Sequence, residues 1–141
     1  MIARAGAAVL TLCLLAACAR TVPPPALGVE RPSYTEEGLA SWYGRAHNGH
    51  KTADGERFSM RAMTAAHRTL PFDTVARVTN LETGRVIKVR INDRGPYIRG
   101  RIIDLSAKAA SILGIREGGV VRVRIEIYAS DQHAATVAGE E

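Results

Sequence analysis

Between residues 75 and 92 the chain alternates apolar and polar side chains. Ala76 and Val78 alternate with Arg77 and Thr79, then Ile87, Val89 and Ile91 with Lys88, Arg90 and Asn92. A period of two marks a strand with one buried face, because successive Cβ atoms point to opposite sides of a sheet. Asn80-Leu-Glu-Thr-Gly84 lies between the two runs and supplies turn residues, so the pair reads as a β-hairpin. The same period returns over 120–128, with Val121, Val123, Ile125 and Ile127 opposed to Arg122, Arg124 and Glu126. Leu39–Tyr43, Met63–His67 and Arg101–Leu105 are shorter β-prone runs. Ser106 is placed to cap a short helix over Ala107–Leu113, which Gly114 stops. Five or six short strands with one short helix predict a small closed barrel, since an open sheet of this size would expose unpaired edges.

The flanks do not share this pattern. Arg4 is followed by an uncharged apolar run over residues 5–17 and then by Cys18, the layout of a signal peptide. Leu15-Ala-Ala-Cys18 resembles the lipobox of bacterial lipoproteins, in which the cysteine thiol carries diacylglycerol. Cys13 would leave with the signal, so the remaining Cys18 has no partner for an internal disulfide and reads as a lipid attachment point. Ala19 in the next position favours the outer membrane if the envelope is Gram-negative. Residues 18–37 hold four of the six prolines and read as a semi-stiff tether. The tail, 129–141, is rich in small residues and is expected to be disordered. The expected organisation is therefore a signal over 1–17, the lipidated cysteine and tether over 18–37, one domain over 38–128, and the tail.

The net charge of +5 falls to +4 when Arg4 is removed. The basic residues are spread through the domain, including Arg77, Lys88, Arg90, Arg94, Arg101 and Arg124. Solvated strand faces and attraction to a polyanion both fit this spread. An exported chain makes nucleic acid a poor partner, and a carboxylate-bearing envelope polymer fits better. Among the domain's carboxylates, Asp73, Glu82, Glu117 and Glu126 fall in turns or on a polar strand face. Asp54, Glu56, Asp93 and Asp104 remain, at strand ends or in the long loop before Gly55, where side chains can converge on a groove. His47 and His50 are close in sequence but have no third ligand near them, so no metal and no cofactor is expected.

Six ordered motifs carry a resemblance. They are Ala40-Ser-Trp-Tyr-Gly44, Lys51-Thr-Ala-Asp-Gly-Glu56, Thr64-Ala-Ala-His67 with Leu70-Pro71, Val78-Thr-Asn80, Asn92-Asp-Arg-Gly-Pro96 and Arg101-Ile-Ile-Asp-Leu-Ser106. Together they resemble the rare lipoprotein A family, RlpA, and at greater distance expansins and family-45 endoglucanases. The resemblance implies a mainly β fold, a six-stranded double-psi β-barrel with one or two short helices. It also implies lytic transglycosylase activity on the β-1,4 bond between N-acetylmuramic acid (MurNAc) and N-acetylglucosamine of peptidoglycan. Strands stripped of their stem peptides are the preferred substrate of some members, and the product ends in a 1,6-anhydro sugar. Partners implied are the glycan strand, the membrane through the lipid, and cell-division proteins. Many relatives carry a further repeat that binds denuded glycan at the division septum; this sequence ends 13 residues after Tyr128, which puts septal targeting in doubt.

The family's acidic pair maps onto Glu56 and Asp93. The chemistry requires an acid that protonates the leaving oxygen and then accepts the proton of the sugar's 6-hydroxyl. Asp93 is the first choice for that role, and Glu56 for the partner that steadies the cation or shares the proton. As a rival reading, Asp93 bonds its own turn. Asp104 competes as the acid because its setting resembles an expansin motif; as a structural residue it would instead accept backbone N–H groups at the helix start. His67 is a candidate to hydrogen-bond the acid, or else a satisfied core histidine. Trp42, Tyr43 and Tyr97 are candidates to stack on sugars, and Arg94 and Arg101 to pair with substrate carboxylates. A non-catalytic module that binds or loosens the wall is the alternative function.

Overall fold

The computed structural model describes residues 28–116 and 119–138. The signal segment and Cys18 lie outside the described residues. Six strands form a closed barrel: β1 (Tyr34–Trp42), β2 (Thr64–His67), β3 (Val75–Asn80), β4 (Val86–Asp93), β5 (Arg101–Leu105) and β6 (Val121–Ile127). Their order around the barrel is β1-β5-β2-β4-β3-β6. The β1/β5 and β2/β4 pairs are parallel and the other four antiparallel. Closure removes the free edges that a short sheet would otherwise present.

The alternation read from the sequence sorts inside from outside. Val78, Ile87, Val89, Ile91, Ile103, Leu105, Val123 and Ile125 fill the interior, while Arg77, Lys88 and Arg124 stay outside. Burying each of these large aliphatic side chains contributes about 1.5–3 kcal/mol. Helix α1 (Ala107–Leu113) has the boundaries the sequence predicts. The Ser106 hydroxyl accepts from the Ala109 N–H, and Gly114 closes the helix in the left-handed region, at φ 89°. Leu113 packs into the core, and its carbonyl accepts from the Asn80 side chain, tying α1 to the β3–β4 turn.

Two pairings slip by one residue. Between β1 and β5 the register steps from Leu39↔Arg101 to Ala40↔Ile103; between β2 and β4 it steps from Ala65↔Ile91 to Ala66↔Asp93. Each slip is a β-bulge, which puts an extra residue into one strand and reverses its alternation from there on.

Two expectations about the flanks are corrected. The domain begins before residue 38: β1 starts at Tyr34, and both the N–H and the hydroxyl of Ser33 donate to the Ile127 carbonyl. The tail expected to be disordered forms helix α2 (Ala129–Ala138). It lacks an apolar stripe and is held by polar contacts. The Gln132 side chain accepts from the Val75 N–H and donates to its carbonyl, and buried Asp131 takes Arg77 and Lys88.

Candidate functional site

Four residues on four adjacent strands share one row of the sheet. Ser41 on β1 pairs with Asp104 on β5, Asp104 with Ala66 on β2, and Ala66 with Asp93 on β4. Paired residues point to the same face. Ile103 and Leu105 on either side of Asp104 are inside the barrel, so this row is outside. The bulge at Asn92 brings Asp93 into it; without the slip, the strict alternation of β4 would turn Asp93 inward with Ile91. Two carboxylates thus flank one small, fully buried alanine, about 10 Å apart at Cα across two strand spacings. Ala66 itself is fully covered, while both carboxylates are half-buried.

Asp93 is held by three donors. Its Oδ2 accepts from the Tyr43 phenol at 2.9 Å, and its Oδ1 from the N–H groups of Ala53 at 2.9 Å and Arg94 at 2.8 Å. It therefore does more than bond its own turn, since it also ties the 48–57 loop to the end of β4. Asp104 accepts from the Ser41 hydroxyl. At the helix start the Ala109 N–H goes to Ser106 and the Lys108 N–H to the Met60 carbonyl, so these donors do not hold Asp104.

Tyr43 is the residue whose role changes most. It was a candidate for stacking on sugars, but its ring is wedged between His47 and Phe58, with its hydroxyl on Asp93. Burial pushes its phenol well above the usual tyrosine range, with the negative charges of Asp93 and Asp104 adding to the rise. Tyr43 is thus a fixed neutral donor that senses both carboxylates.

Glu56 lies on the loop beside this row. Arg90 grips it through both guanidinium ends, at 2.8 and 2.7 Å, and Asn92 donates at 3.3 Å. The Arg90 contact holds its carboxyl below the usual range, so Glu56 is an anion at neutral pH. That suits steadying a cation and opposes sharing a proton. Asp54 is also depressed: burial would raise it, but the Thr52 hydroxyl, the Glu56 N–H and Arg90 outweigh that effect. Asp54, Glu56 and Asp73 bring carboxylate oxygens within 4.8 Å of one another, around Arg90 rather than around a vacant centre.

Three further candidates are committed elsewhere. His67 makes no bond to Asp93 or Asp104. It is buried, its Nδ1 accepts from the N–H groups of Thr69 and Leu70, and its Nε2 faces Glu36 at 2.9 Å. With Nδ1 accepting, the Nε2 hydrogen is the one directed at Glu36. The Arg94 guanidinium donates to the His67 and Leu70 carbonyls and lies 3.9 Å over the Phe72 ring, so it braces the chain beside Asp93 instead of facing substrate. Trp42 packs on the core. Tyr97, 78 % exposed, and Arg101, half-buried on the outer face, remain available to a ligand.

Residues 35–125 match the family model described as lytic transglycolase. The chain belongs to that family. It is 58 % identical over 90 residues to the probable endolytic peptidoglycan transglycosylase RlpA of Synechocystis, covering 64 % of this chain and 28 % of that protein. It is 50 % identical over 99 residues to the endolytic peptidoglycan transglycosylase RlpA of Vibrio cholerae, covering 70 % and 38 %. The chain thus spans well under half the length of these curated relatives. A mutant Clavibacter michiganensis expansin in complex with cellohexaose has a similar fold, with a TM-score of 0.53 at 18 % identity, over 68 % of this chain and 50 % of that one. The barrel is the expansin-like double-psi fold that the motifs implied.

Sequence reading of this lytic transglycolase domain missed two carboxylates. Glu36, assigned to the tether, accepts from Tyr34 at 2.6 Å and faces His67. Burial would raise its pKa, but the hydrogen bonds from Tyr34 and His67 hold it below the usual range, while Tyr34 is pushed up to about 12 by burial and by Glu36. Asp131, assigned to the tail, is the other. A glutamate two residues from a tyrosine, ahead of the first apolar run, was the only available sign that β1 starts early.

Proposed function

We propose that this domain is a lytic transglycosylase that cuts the MurNAc-to-N-acetylglucosamine β-1,4 bond of peptidoglycan strands, with Asp93 as general acid and base. The single observation that carries the reading is the outward row Ser41–Asp104–Ala66–Asp93, which brings two half-buried carboxylates to one face of the barrel, two strands apart. Asp93 gives its proton to the leaving 4-oxygen as the C1–O bond breaks. The MurNAc 6-hydroxyl then attacks C1 and its proton returns to Asp93, so no water is consumed and the acid is regenerated. Asp104 and the ionised Glu56 face the positive charge that develops at C1. Tyr43 and the Arg94 N–H orient Asp93, and Tyr97 offers an exposed ring to an adjacent sugar.

The names of the curated relatives and the cellohexaose held by the expansin neighbour support a glycan as the ligand of this face. The lipobox supports a place in the cell envelope, with Cys18 lipidated and the outer membrane as destination; cell-division proteins are the partners to look for first. The deciding experiment is digestion of denuded glycan strands by the purified protein, with products read by mass spectrometry. Muropeptide-free fragments ending in 1,6-anhydro-MurNAc are expected. Intact strands, bound but uncut, would instead support a wall-binding module.

A further inference from the structure

We propose that Arg101 and Arg68 form an anion subsite beside the carboxylate row, which takes the free lactyl carboxylate of a MurNAc residue that carries no peptide. The inference rests on the glycan reading above and names what the same face selects.

Arg101 lies three residues before Asp104, and in a regular strand the two would face opposite sides. The slip opposite Leu39 and Ala40 takes up one residue. Accordingly Ile102, Ile103 and Leu105 are buried, while Arg101 and Asp104 are both half-buried on the outer face. Their partners on β1, Leu39 and Ser41, are two residues apart, so the two sit about 7 Å apart along the sheet, a span that one sugar ring covers. Arg68 follows β2 directly, and its guanidinium donates to the Arg101 carbonyl at 2.9 Å, which holds the two side chains at adjoining positions.

The other basic side chains of the strands are mostly matched. Arg77 and Lys88 pair with Asp131, Arg90 with Asp54, Glu56 and Asp73, and Arg124 with Glu37. Among the described residues, neither Arg68 nor Arg101 has a carboxylate within ion-pair distance, and of the unmatched strand residues Arg101 is the one that shares a strand and face with Asp104. The nearby acids are occupied, Glu36 by Tyr34 and His67, and Asp104 by Ser41. A positive pair beside two carboxylates suits a substrate that is itself anionic at one position. The guanidinium fork matches a carboxylate through two parallel hydrogen bonds. A lactyl group joined to a peptide is a neutral amide and offers no such match, so the subsite favours stripped strands.

The test compares the wild type, Arg101→Gln and Arg68→Gln on denuded strands and on the same strands with their lactyl carboxylates converted to methylamides. Binding is followed by calorimetry and cleavage by anhydro-product release, after equal melting temperatures establish that each variant is folded. The wild type should lose about tenfold in both affinity and kcat/KM on amidated strands. Arg101→Gln should lose about tenfold on native strands and nothing further on amidated ones, with Arg68→Gln intermediate. An Arg101→Gln variant equal to the wild type on native strands, or equally sensitive to amidation, overturns the subsite. If the wild type binds both strands but cuts neither, the enzymatic reading fails, and the binding comparison still decides the subsite.

Discussion

At the scale of single residues, the site depends on which partners hold each carboxylate. Tyr43 donates to Asp93 from a packed position, so Tyr43→Phe keeps the ring and removes one hydrogen bond. Losing one orienting hydrogen bond costs about 0.5–1.5 kcal/mol, so kcat should fall roughly two- to tenfold with KM little changed. Steady-state kinetics on denuded strands would check this, and a raised KM with unchanged kcat would return Tyr43 to sugar stacking. Glu56 has the opposite character, being anionic because Arg90 grips it. Its depressed pKa keeps it ionised throughout the range above the ordinary carboxylate value near 4.3, so Glu56→Gln should lower activity at every neutral pH without moving the limbs of the pH–rate profile. A limb that moved would mean Glu56 exchanges the proton. These partners were not legible in the sequence. Motif position nominated Glu56 and Asp93 together, but which carboxylate an arginine holds depends on pairing across a barrel, and Arg90 read only as one of many outward-facing cations.

At the scale of elements, alternation was enough to find the β3–β4 hairpin, β6 and α1, because each buries a regular face or carries a cap. It could not place the two bulges. A slip of one residue leaves composition untouched, yet it turns Asp93 outward and puts Arg101 beside Asp104. The β5 slip leans on Gly38, where an added Cβ would lie 2.6 Å from the Ile102 Cγ2. Gly38→Ala should therefore destabilise the domain by about 1–3 kcal/mol, seen as a lower midpoint in urea with unchanged slope. Helix α2 escaped the sequence reading because it buries a carboxylate rather than an apolar stripe. Asp131 sits at 5 % exposure between Arg77 and Lys88, and the Arg77 hydrogen bond holds its pKa below the usual value. A depressed carboxylate stabilises the fold fully above its unfolded value of about 3.9 and loses that contribution as pH falls through the folded value. The protection factors of the α2 amides should thus fall below about pH 4 in the wild type, and Asp131→Asn should show reduced protection already at pH 7.

At the scale of the whole molecule, the barrel alone does not choose between cutting and binding, since one fold can carry either function. Arg77, Lys88, Arg90 and Arg124 are neutralised by carboxylates, whereas among the described residues Arg68 and Arg101, like Arg85 and Arg122, have no carboxylate within ion-pair distance. Of these, Arg101 shares a strand and face with Asp104, which is why the anion subsite is proposed there. The sequence motifs located the carboxylate row because they cluster at strand ends, and the closure of six strands then aligned what the chain holds dozens of residues apart. The central claim is that Asp93 carries the proton. The most direct measurement is release of 1,6-anhydro ends from denuded strands by the wild type, Asp93→Asn and Asp104→Asn, each bound to substrate with comparable affinity. Asp93→Asn should lose at least about a hundredfold and Asp104→Asn less. Full activity in Asp93→Asn beside an inactive Asp104→Asn would contradict that claim.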